Sequence, residues 1–189
     1  CTLLTGRLRL ACLPALAQAL VPQALLHFSK ALPAASVSVV PLESPWLEQA
    51  LSEQRFDSGL GETTEAPTGV ELRPLLTANE VAVLPTGHRL TQRTVLQPHD
   101  FADERFVSLA QGDPYRQAID TVFMHAGVQR ATLLETTSAV AVCAMVQQGL
   151  GVAIVNPLTA AAMAGTQLVV RPLAMAIPFS VSLLLPQVA

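Results

Sequence analysis

The chain has 189 residues, of which 51% are hydrophobic and 13% are charged, and its net charge is −3. This composition supplies enough apolar material for a folded core and excludes an intrinsically disordered chain. An acidic chain without a basic stripe is not typical of a free-standing nucleic-acid-binding domain. The mean hydropathy is +0.44, but the most apolar stretch, residues 140–164, is interrupted by Gln, Gly, Asn and Pro. The sequence therefore predicts no membrane helix, which needs about 18 continuous apolar residues.

Strand and helix patterns alternate in the first half of the chain. Residues 7–12 alternate in polarity and predict a strand, and Pro14 suits the first turn of a helix that follows it. In chain order, the further predicted elements are a helix from Pro22, a strand at 36–40, a helix that starts at 43–45, a strand at 56–61 and extended segments at 71–75 and 80–84.

The same alternation returns after the turn-forming segment 85–88. In order, we predict a loop at 91–103 with one short helix, a strand at 105–109, a helix at 114–126, a strand at 131–135, a helix at 138–148, a strand at 151–155, a helix at 157–164 and strands at 168–171 and 179–185. Helices between strands favour an α/β fold with mainly parallel sheets that have helices on both faces. The β-α-β-α-β pattern occurs twice, which predicts two lobes joined by a hinge. The last strand returns to the first lobe, so we expect one lobe at 1–84 and 179–189 and the other at 85–178.

Four segments, in order along the chain, carry a resemblance to a known family. They are residues 6–11, 20–28, 87–90 and 145–153. Together they resemble the effector-binding, or substrate-binding, domain of LysR-type bacterial transcription regulators. The resemblance implies a periplasmic-binding-protein-like fold, in which two Rossmann-like lobes enclose a cleft for a small-molecule effector.

A second set of segments resembles the members of that family that activate diaminopimelate decarboxylase and so control lysine biosynthesis. These segments are residues 11–14, 40–45, 115–117, 142–146 and 155–160. The resemblance implies a cytoplasmic regulator whose full-length form is a homotetramer. It also implies an antiparallel homodimer of this domain, with part of the contact made by the helix that carries Leu25 and Phe28. DNA would be bound only through an N-terminal winged helix-turn-helix that is absent from this chain. The final helix of the family is also missing after Ala189, which leaves the boundary of the first lobe open.

Candidate ligand-binding residues lie where predicted strands end and helices begin. In open α/β sheets, ligands bind beyond the carboxyl ends of the strands, and helix N-termini there offer N–H groups and a partial positive charge that suit a carboxylate. The candidates are Leu13, Pro14, Glu43, Ser44, Glu62, Asp113, Tyr115, Arg116, Glu135, Thr136, Ser138 and Asn156.

The acidic candidates indicate the class of ligand. Carboxylates beside N–H-rich helix ends suit a molecule with both ammonium and carboxylate groups, such as diaminopimelate or lysine. Alternatives remain for each residue: Ser44, Asp113 and Ser138 could be ordinary helix N-caps, and the acids could be solvated loop residues. Arg116 could bind a ligand carboxylate bidentately, or form a surface ion pair with Asp113 or Asp120.

Other reactive side chains point to structural roles. There are three cysteines without CxxC spacing, and we expect Cys12 and Cys143 to be buried, inert thiols, which fits a reducing cytoplasm. The four histidines lack the spacing of a metal site, and no nucleotide or cofactor motif occurs. We therefore predict no metal, no cofactor and no catalytic residue. Trp46, on an apolar helical face, is expected in the core.

Two other functions fit the same architecture. An exported solute-binding protein of a transporter shares the two-lobed design, and the sequence upstream of Gly6 would distinguish it, because a signal peptide would replace the helix-turn-helix. An enzyme on this fold, such as a deaminase-like lyase, would need a nucleophile and base pair, and no such arrangement stands out.

Overall fold

The computed structural model describes residues 6–187, apart from the side chains of Thr132 and Leu133. These residues divide into two compact units. Unit 1 contains the residues up to Thr77 and those from Ser180 onward, and unit 2 contains Ala78–Phe179. We predicted that the first lobe ends at Leu84, but residues 78–84 belong to unit 2. The reason is that residues 81–85 form a strand, which pairs with two other strands of that unit.

Unit 1 is built on a five-stranded sheet in the order β2-β1-β3-β10-β4. Its elements are β1 (Arg7–Cys12), α1 (Pro14–Ala19), α2 (Val21–Ala31), β2 (Ser36–Pro41), α3 (Trp46–Ser52), β3 (Ser58–Gly61), β4 (Val70–Asn79) and β10 (Pro178–Pro186). Strand β1 runs parallel to β2 and to β3, whereas β10 is antiparallel to β3. The carboxyl ends of the three parallel strands therefore lie at one edge of the sheet.

Helix α3 shows how local spacing orients an element in unit 1. Its buried residues Leu47, Ala50 and Leu51 are three and four positions apart and form one face of the helix. Gly59 of β3 lets this face approach closely, because a Cβ there would lie 2.4 Å from Leu51 Cδ1. The expectation that Trp46 belongs to this core is wrong. It is the first residue of the helix and is 62% exposed, since it lies outside the stripe that the other three residues form.

Unit 2 contains two smaller sheets, in the orders β8-β5-β9 and β6-β7. Its elements are β5 (Val81–Pro85), 3-10 turns at Arg89–Gln92 and Pro98–Phe101, β6 (Arg105–Leu109), α4 (Pro114–His125), β7 (Ala131–Thr136), α5 (Ala139–Gln147), β8 (Ala153–Val155), α6 (Pro157–Met163) and β9 (Leu168–Pro172).

The strand directions of unit 2 are mixed. Strands β6 and β7 are parallel, and a parallel bridge joins Phe106 of β6 to Val152 beside β8. Strand β5, however, is antiparallel to both β8 and β9. The prediction of mainly parallel sheets therefore fails for β5. A helix between two successive strands favours a parallel pair, but β5 is not adjacent in sequence to either of its partners.

The core of unit 2 lies on both faces of its strands, because successive strand residues point to opposite sides. Phe106 packs with Phe101 and Phe123 at edge-to-face centroid distances of 6.2 and 6.3 Å. The next residue, Val107, packs in a second cluster with residues of α5 such as Val142. Helices thus cover both faces, as predicted. Within residues 6–187, no helix has the length and apolar content to cross a membrane.

Candidate functional site

Three strand-to-helix junctions meet at one edge of unit 2. Strands β6, β7 and β8 lead into α4, α5 and α6, whose N-caps are Asp113, Ser138 and Asn156. Because β6 and β7 are parallel and β6 is bridged in parallel to Val152, the carboxyl ends of all three strands point the same way. We call this group of junctions the unit 2 edge. It gathers three helix N-termini, whose unpaired N–H groups attract anions.

The side chains at these N-termini act first as caps. The Asp113 carboxylate accepts hydrogen bonds from the backbone N–H groups of Tyr115 (2.8 Å) and Arg116 (3.2 Å). The Ser138 hydroxyl accepts one from the N–H of Ala141 at 3.2 Å. The capping alternative stated for both residues is therefore the arrangement found. Since a cap satisfies only part of the four N–H groups at a helix start, capping does not remove the anion preference of the edge.

Arg116 connects three elements at the unit 2 edge. It is only 7% exposed. Its Nε donates to Asp120 Oδ2 at 2.8 Å, and its Nη1 donates to Glu135 Oε1 at 3.0 Å and to the Leu109 carbonyl at 2.8 Å. Of the predicted alternatives, the pair with Asp120 is therefore formed, and it joins a buried guanidinium to a carboxylate whose side chain is 43% exposed. Burial lowers the pKa of Arg116, but its hydrogen bonds to Glu135 and Asp120 raise it above the ordinary value overall.

Glu135 presents a carboxylate at the end of β7. Its side chain is 40% exposed even though one oxygen is held by Arg116. The neighbouring Thr136 accepts a hydrogen bond from the N–H of Ser138 across 3.4 Å. An exposed carboxylate of fixed orientation beside helix N-termini can accept hydrogen bonds from an ammonium group.

Tyr115 has a packing role at the same edge. It is partly buried against the second apolar cluster of unit 2. Its ring lies 5.9 Å from that of Phe179, centroid to centroid, at an interplanar angle of 47°. Phe179 belongs to unit 2, so this contact lies within that unit.

The other predicted residues lie at the carboxyl edge of the parallel strands of unit 1. Leu13 is buried at the N-cap of α1, and its N–H donates to the Leu60 carbonyl at 3.2 Å. Pro14 occupies the first turn of that helix, and Glu62 directly follows β3.

Glu43 and Ser44, both exposed, follow β2 at this edge. The alternative that Ser44 caps α3 is wrong, because Pro45 holds the N-cap position. The Ser44 hydroxyl donates instead to Glu48 Oε1 at 2.7 Å.

The predicted residues thus form two groups, one in each unit. At the unit 2 edge are Asp113, Tyr115, Arg116, Glu135, Thr136, Ser138 and Asn156; at the carboxyl edge of unit 1 are Leu13, Pro14, Glu43, Ser44 and Glu62. Asp120 entered the sequence prediction only as an ion-pair partner, and Arg130 did not enter it. Arg130 stands alone between a helix and a strand, and no local motif marks it.

The remaining reactive side chains have structural surroundings. Cys12 and Cys143 are buried, as predicted. Burial raises the pKa of the Cys12 thiol to about 11 and that of Cys143 to about 12, which favours the prediction that they are inert. His88 accepts a hydrogen bond from the Leu90 N–H at Nδ1, and its Nε2 lies 3.1 Å from Glu104 Oε2. Among the described residues, no three His, Cys, Asp or Glu side chains form a group that could hold a metal ion.

Comparisons with known proteins agree with this architecture. The transcriptional activator protein LysR of Escherichia coli (strain K12) is 48% identical over 181 residues, which cover 96% of this chain and 58% of that protein. The regulatory protein NocR of Agrobacterium tumefaciens (strain T37) is 26% identical over 181 residues, covering 96% of this chain and 60% of that protein. The chain therefore spans less than two thirds of the length of either relative.

The fold also has close structural neighbours. The reduced form of the OxyR regulatory domain from Pseudomonas aeruginosa superposes with a TM-score of 0.84 at 17% identity, covering 98% of this chain and 91% of that one. Residues 2–188 match the family described as LysR substrate binding domain. The chain therefore belongs to the LysR substrate-binding domain family.

Proposed function

We propose that this chain is the effector-sensing part of a LysR-type transcription regulator. The support is its membership of the substrate-binding domain family and its 48% identity to a protein named as a transcriptional activator. The observation that carries the proposal is the unit 2 edge, where Arg116 holds the exposed Glu135 carboxylate beside three helix N-termini. Such an edge is a recognition surface for a small charged molecule.

The proposed effector is an amino acid with a second charged end, diaminopimelate or lysine. Helix N-termini favour the carboxylate of such a molecule, and Glu135 offers an acceptor for an ammonium group. The identity to E. coli LysR and the segments that resemble regulators of lysine biosynthesis favour this class over aromatic or simple dicarboxylic acids.

The proposed mechanism is a shift between conformations. A ligand that binds one conformation more tightly increases its population by the difference in affinity. In the full-length protein, we infer that a homodimer of this domain within a homotetramer passes the shift to N-terminal DNA-binding domains in the cytoplasm. The chain would then be a sensor, not an enzyme. Similarity to regulators over 96% of this chain makes a solute-binding protein of a transporter the weaker alternative.

Thermal unfolding with a panel of amino acids tests the effector assignment. The panel is meso-diaminopimelate, lysine, arginine and a neutral amino acid. At about 100 times its Kd, a ligand that binds only the folded state adds about 2.7 kcal/mol of stability. For a chain of this length, that raises the Tm by about 5–10 °C. We expect the full rise with diaminopimelate and a smaller rise with lysine. No shift with any of the four would overturn the assignment.

A pair of matched variants tests the site. Glu135→Gln removes the charge of a carboxylate that is 40% exposed and bound to Arg116 at 3.0 Å. Glu71→Gln makes the same change in an exposed ion pair of unit 1, where Glu71 is 48% exposed and binds Arg73 at 2.7 Å. We expect the first change to remove about half or more of the ligand-induced rise in Tm and the second to leave it unchanged. If both variants lost the same part of the ligand-induced rise in Tm, the role of Glu135 in binding the effector would be contradicted.

A further inference from the structure

A line of alternating charges begins at the unit 2 edge. Glu135 at the end of β7 accepts from Arg116, and Arg116 Nε donates to Asp120 Oδ2 at 2.8 Å. Asp120 is also bound on its other side, where Oδ1 accepts from Arg130 Nη2. We call these four residues the charge line. Two cations and two anions alternate in it, so its formal charge is zero.

The inner end of the charge line is anchored in the aromatic core. The guanidinium carbon of Arg130 lies 4.6 Å from the ring centroid of Phe106 and 4.2 Å from that of Phe123. The Arg130 side chain is only 7% exposed, and its Nη1 is buried without a hydrogen-bond partner. Stacking on two packed rings restricts the guanidinium plane. The Arg130 guanidinium therefore has a fixed position and orientation at the buried end of the charge line.

Asp120 and Arg116, the middle of the charge line, connect Arg130 to Glu135 at the unit 2 edge. Asp120 is one helical turn after Arg116 in α4, so its carboxylate reaches Nε, while Nη1 donates to Glu135 and to the Leu109 carbonyl. With its Nε and Nη1 engaged in this way, the guanidinium of Arg116 has a defined orientation. Groups that orient a binding residue in this way commonly change affinity although they do not touch the ligand.

We propose that Asp120 and Arg130 are positioning residues which, through Arg116, hold the Glu135 carboxylate ready for the ammonium group of the effector. This inference rests on the proposed function. The electrostatic reason for the inference is that positive and negative charges are equal in number along the charge line. Without Asp120, two guanidinium groups would face a single carboxylate. Arg116 would then bind the Glu135 carboxylate more strongly, and that carboxylate would be less available to an ammonium group.

The test is a double-mutant cycle on ligand affinity, with meso-diaminopimelate as the probe and calorimetry as the measurement. Glu135→Gln should weaken binding by about tenfold or more, because it removes a charged acceptor. Asp120→Asn should weaken binding by about threefold to tenfold. The double variant should bind no more weakly than Glu135→Gln alone, because Asp120 acts only through Glu135. Fully additive effects would overturn the proposal.

Two further variants separate positioning from a general loss of stability. Arg130→Lys keeps the charge but loses the planar stack, so its affinity should lie between those of wild type and Asp120→Asn. Asp100→Asn is the matched control: Asp100 accepts from the Gln97 N–H and pairs with Arg93, away from the charge line. It should lower the Tm without changing the Kd. A Kd change in this control as large as that of Asp120→Asn would overturn the positioning role.

A second readout needs no ligand. If Asp120 orients Glu135 through Arg116, the losses of Tm in Asp120→Asn and Glu135→Gln should be non-additive in the double variant. Additive losses would overturn the linkage. Non-additive losses in a protein that binds none of the amino acids would support the linkage and contradict the effector assignment instead.

Discussion

Asn156 and Thr159 are joined by two hydrogen bonds at the start of α6. Oδ1 of Asn156 accepts from the Thr159 N–H at 2.8 Å, while its Nδ2 donates to Thr159 Oγ1 at 3.0 Å. The two residues are 7% and 1% exposed, so water cannot easily replace either partner. This pair determines where α6 begins at the end of β8, and it thereby shapes the unit 2 edge.

Asn156→Ala should lower the free energy of unfolding by about 2–4 kcal/mol, because it removes an N-cap and leaves a buried hydroxyl without its donor. Urea unfolding measures the loss. Asn156→Ser is the control, since a serine oxygen can still cap the helix, and its loss should be less than half as large. Equal losses would show that the cap is not the stabilising contact.

Gly151→Ala should disturb the contact between β6 and the segment that enters β8. A Cβ at Gly151 would lie 2.6 Å from the Arg105 carbonyl oxygen, which accepts a hydrogen bond from the Val152 N–H at 2.9 Å. Because a backbone carbonyl cannot rotate away as a side chain can, we expect a loss of about 2–3 kcal/mol.

Gly165→Ala is the matched control for that change, since no atom lies within 4 Å of the added Cβ. Its effect should stay within about 0.5 kcal/mol of zero. The measurement is again urea unfolding of both variants. A loss at Gly165 equal to that at Gly151 would contradict the steric explanation.

The buried thiols should resist modification in the folded protein. A pKa of about 11 for Cys12, compared with an ordinary value of 9.0, reduces the thiolate fraction at pH 8 by about a hundredfold. Reaction with a chromogenic disulfide should therefore be slow in buffer and fast in denaturant. The reaction is measured in a Cys1→Ser variant, in which Cys12 and Cys143 are the thiols that remain. Rapid labelling in buffer would contradict their burial.

The ion pair between Arg9 and Asp57 should make stability depend on pH in the acid range. The side-chain and backbone hydrogen bonds of Arg9 hold the pKa of Asp57 below its ordinary value of 3.8. The stabilisation is therefore complete above the unfolded-state pKa and is lost as the pH falls through the lower folded-state value.

Unfolding of wild type and Asp57→Asn across the acid range measures this effect. The stability difference between them should be constant above about pH 5 and should shrink below the ordinary carboxyl pKa. A difference that grows toward low pH would mean that the Asp57 pKa is raised. Since the pair is largely exposed, added salt should reduce the difference.

Local patterns were sufficient for much of the fold. Polarity alternation predicted β1, and the prolines that are the first residues of α1, α4 and α6 predicted where those helices begin, because both signals depend on neighbours a few residues apart. The junctions that hold the candidate ligand groups followed from the same signals. Their role in binding an effector remains a prediction.

Contacts between distant segments decided the rest. The sequence by itself determined that Glu135 ends a strand and that Arg116 lies in the first turn of a helix. Only the tertiary structure decided that these two residues bind each other and that Arg130, stacked on Phe106 and Phe123, completes the charge line. The direction of β5 and the exposure of Trp46 were decided in the same way. The physical reason is that ion pairs, strand directions and burial depend on which elements pack together, and periodicity within one element carries no information about its partner.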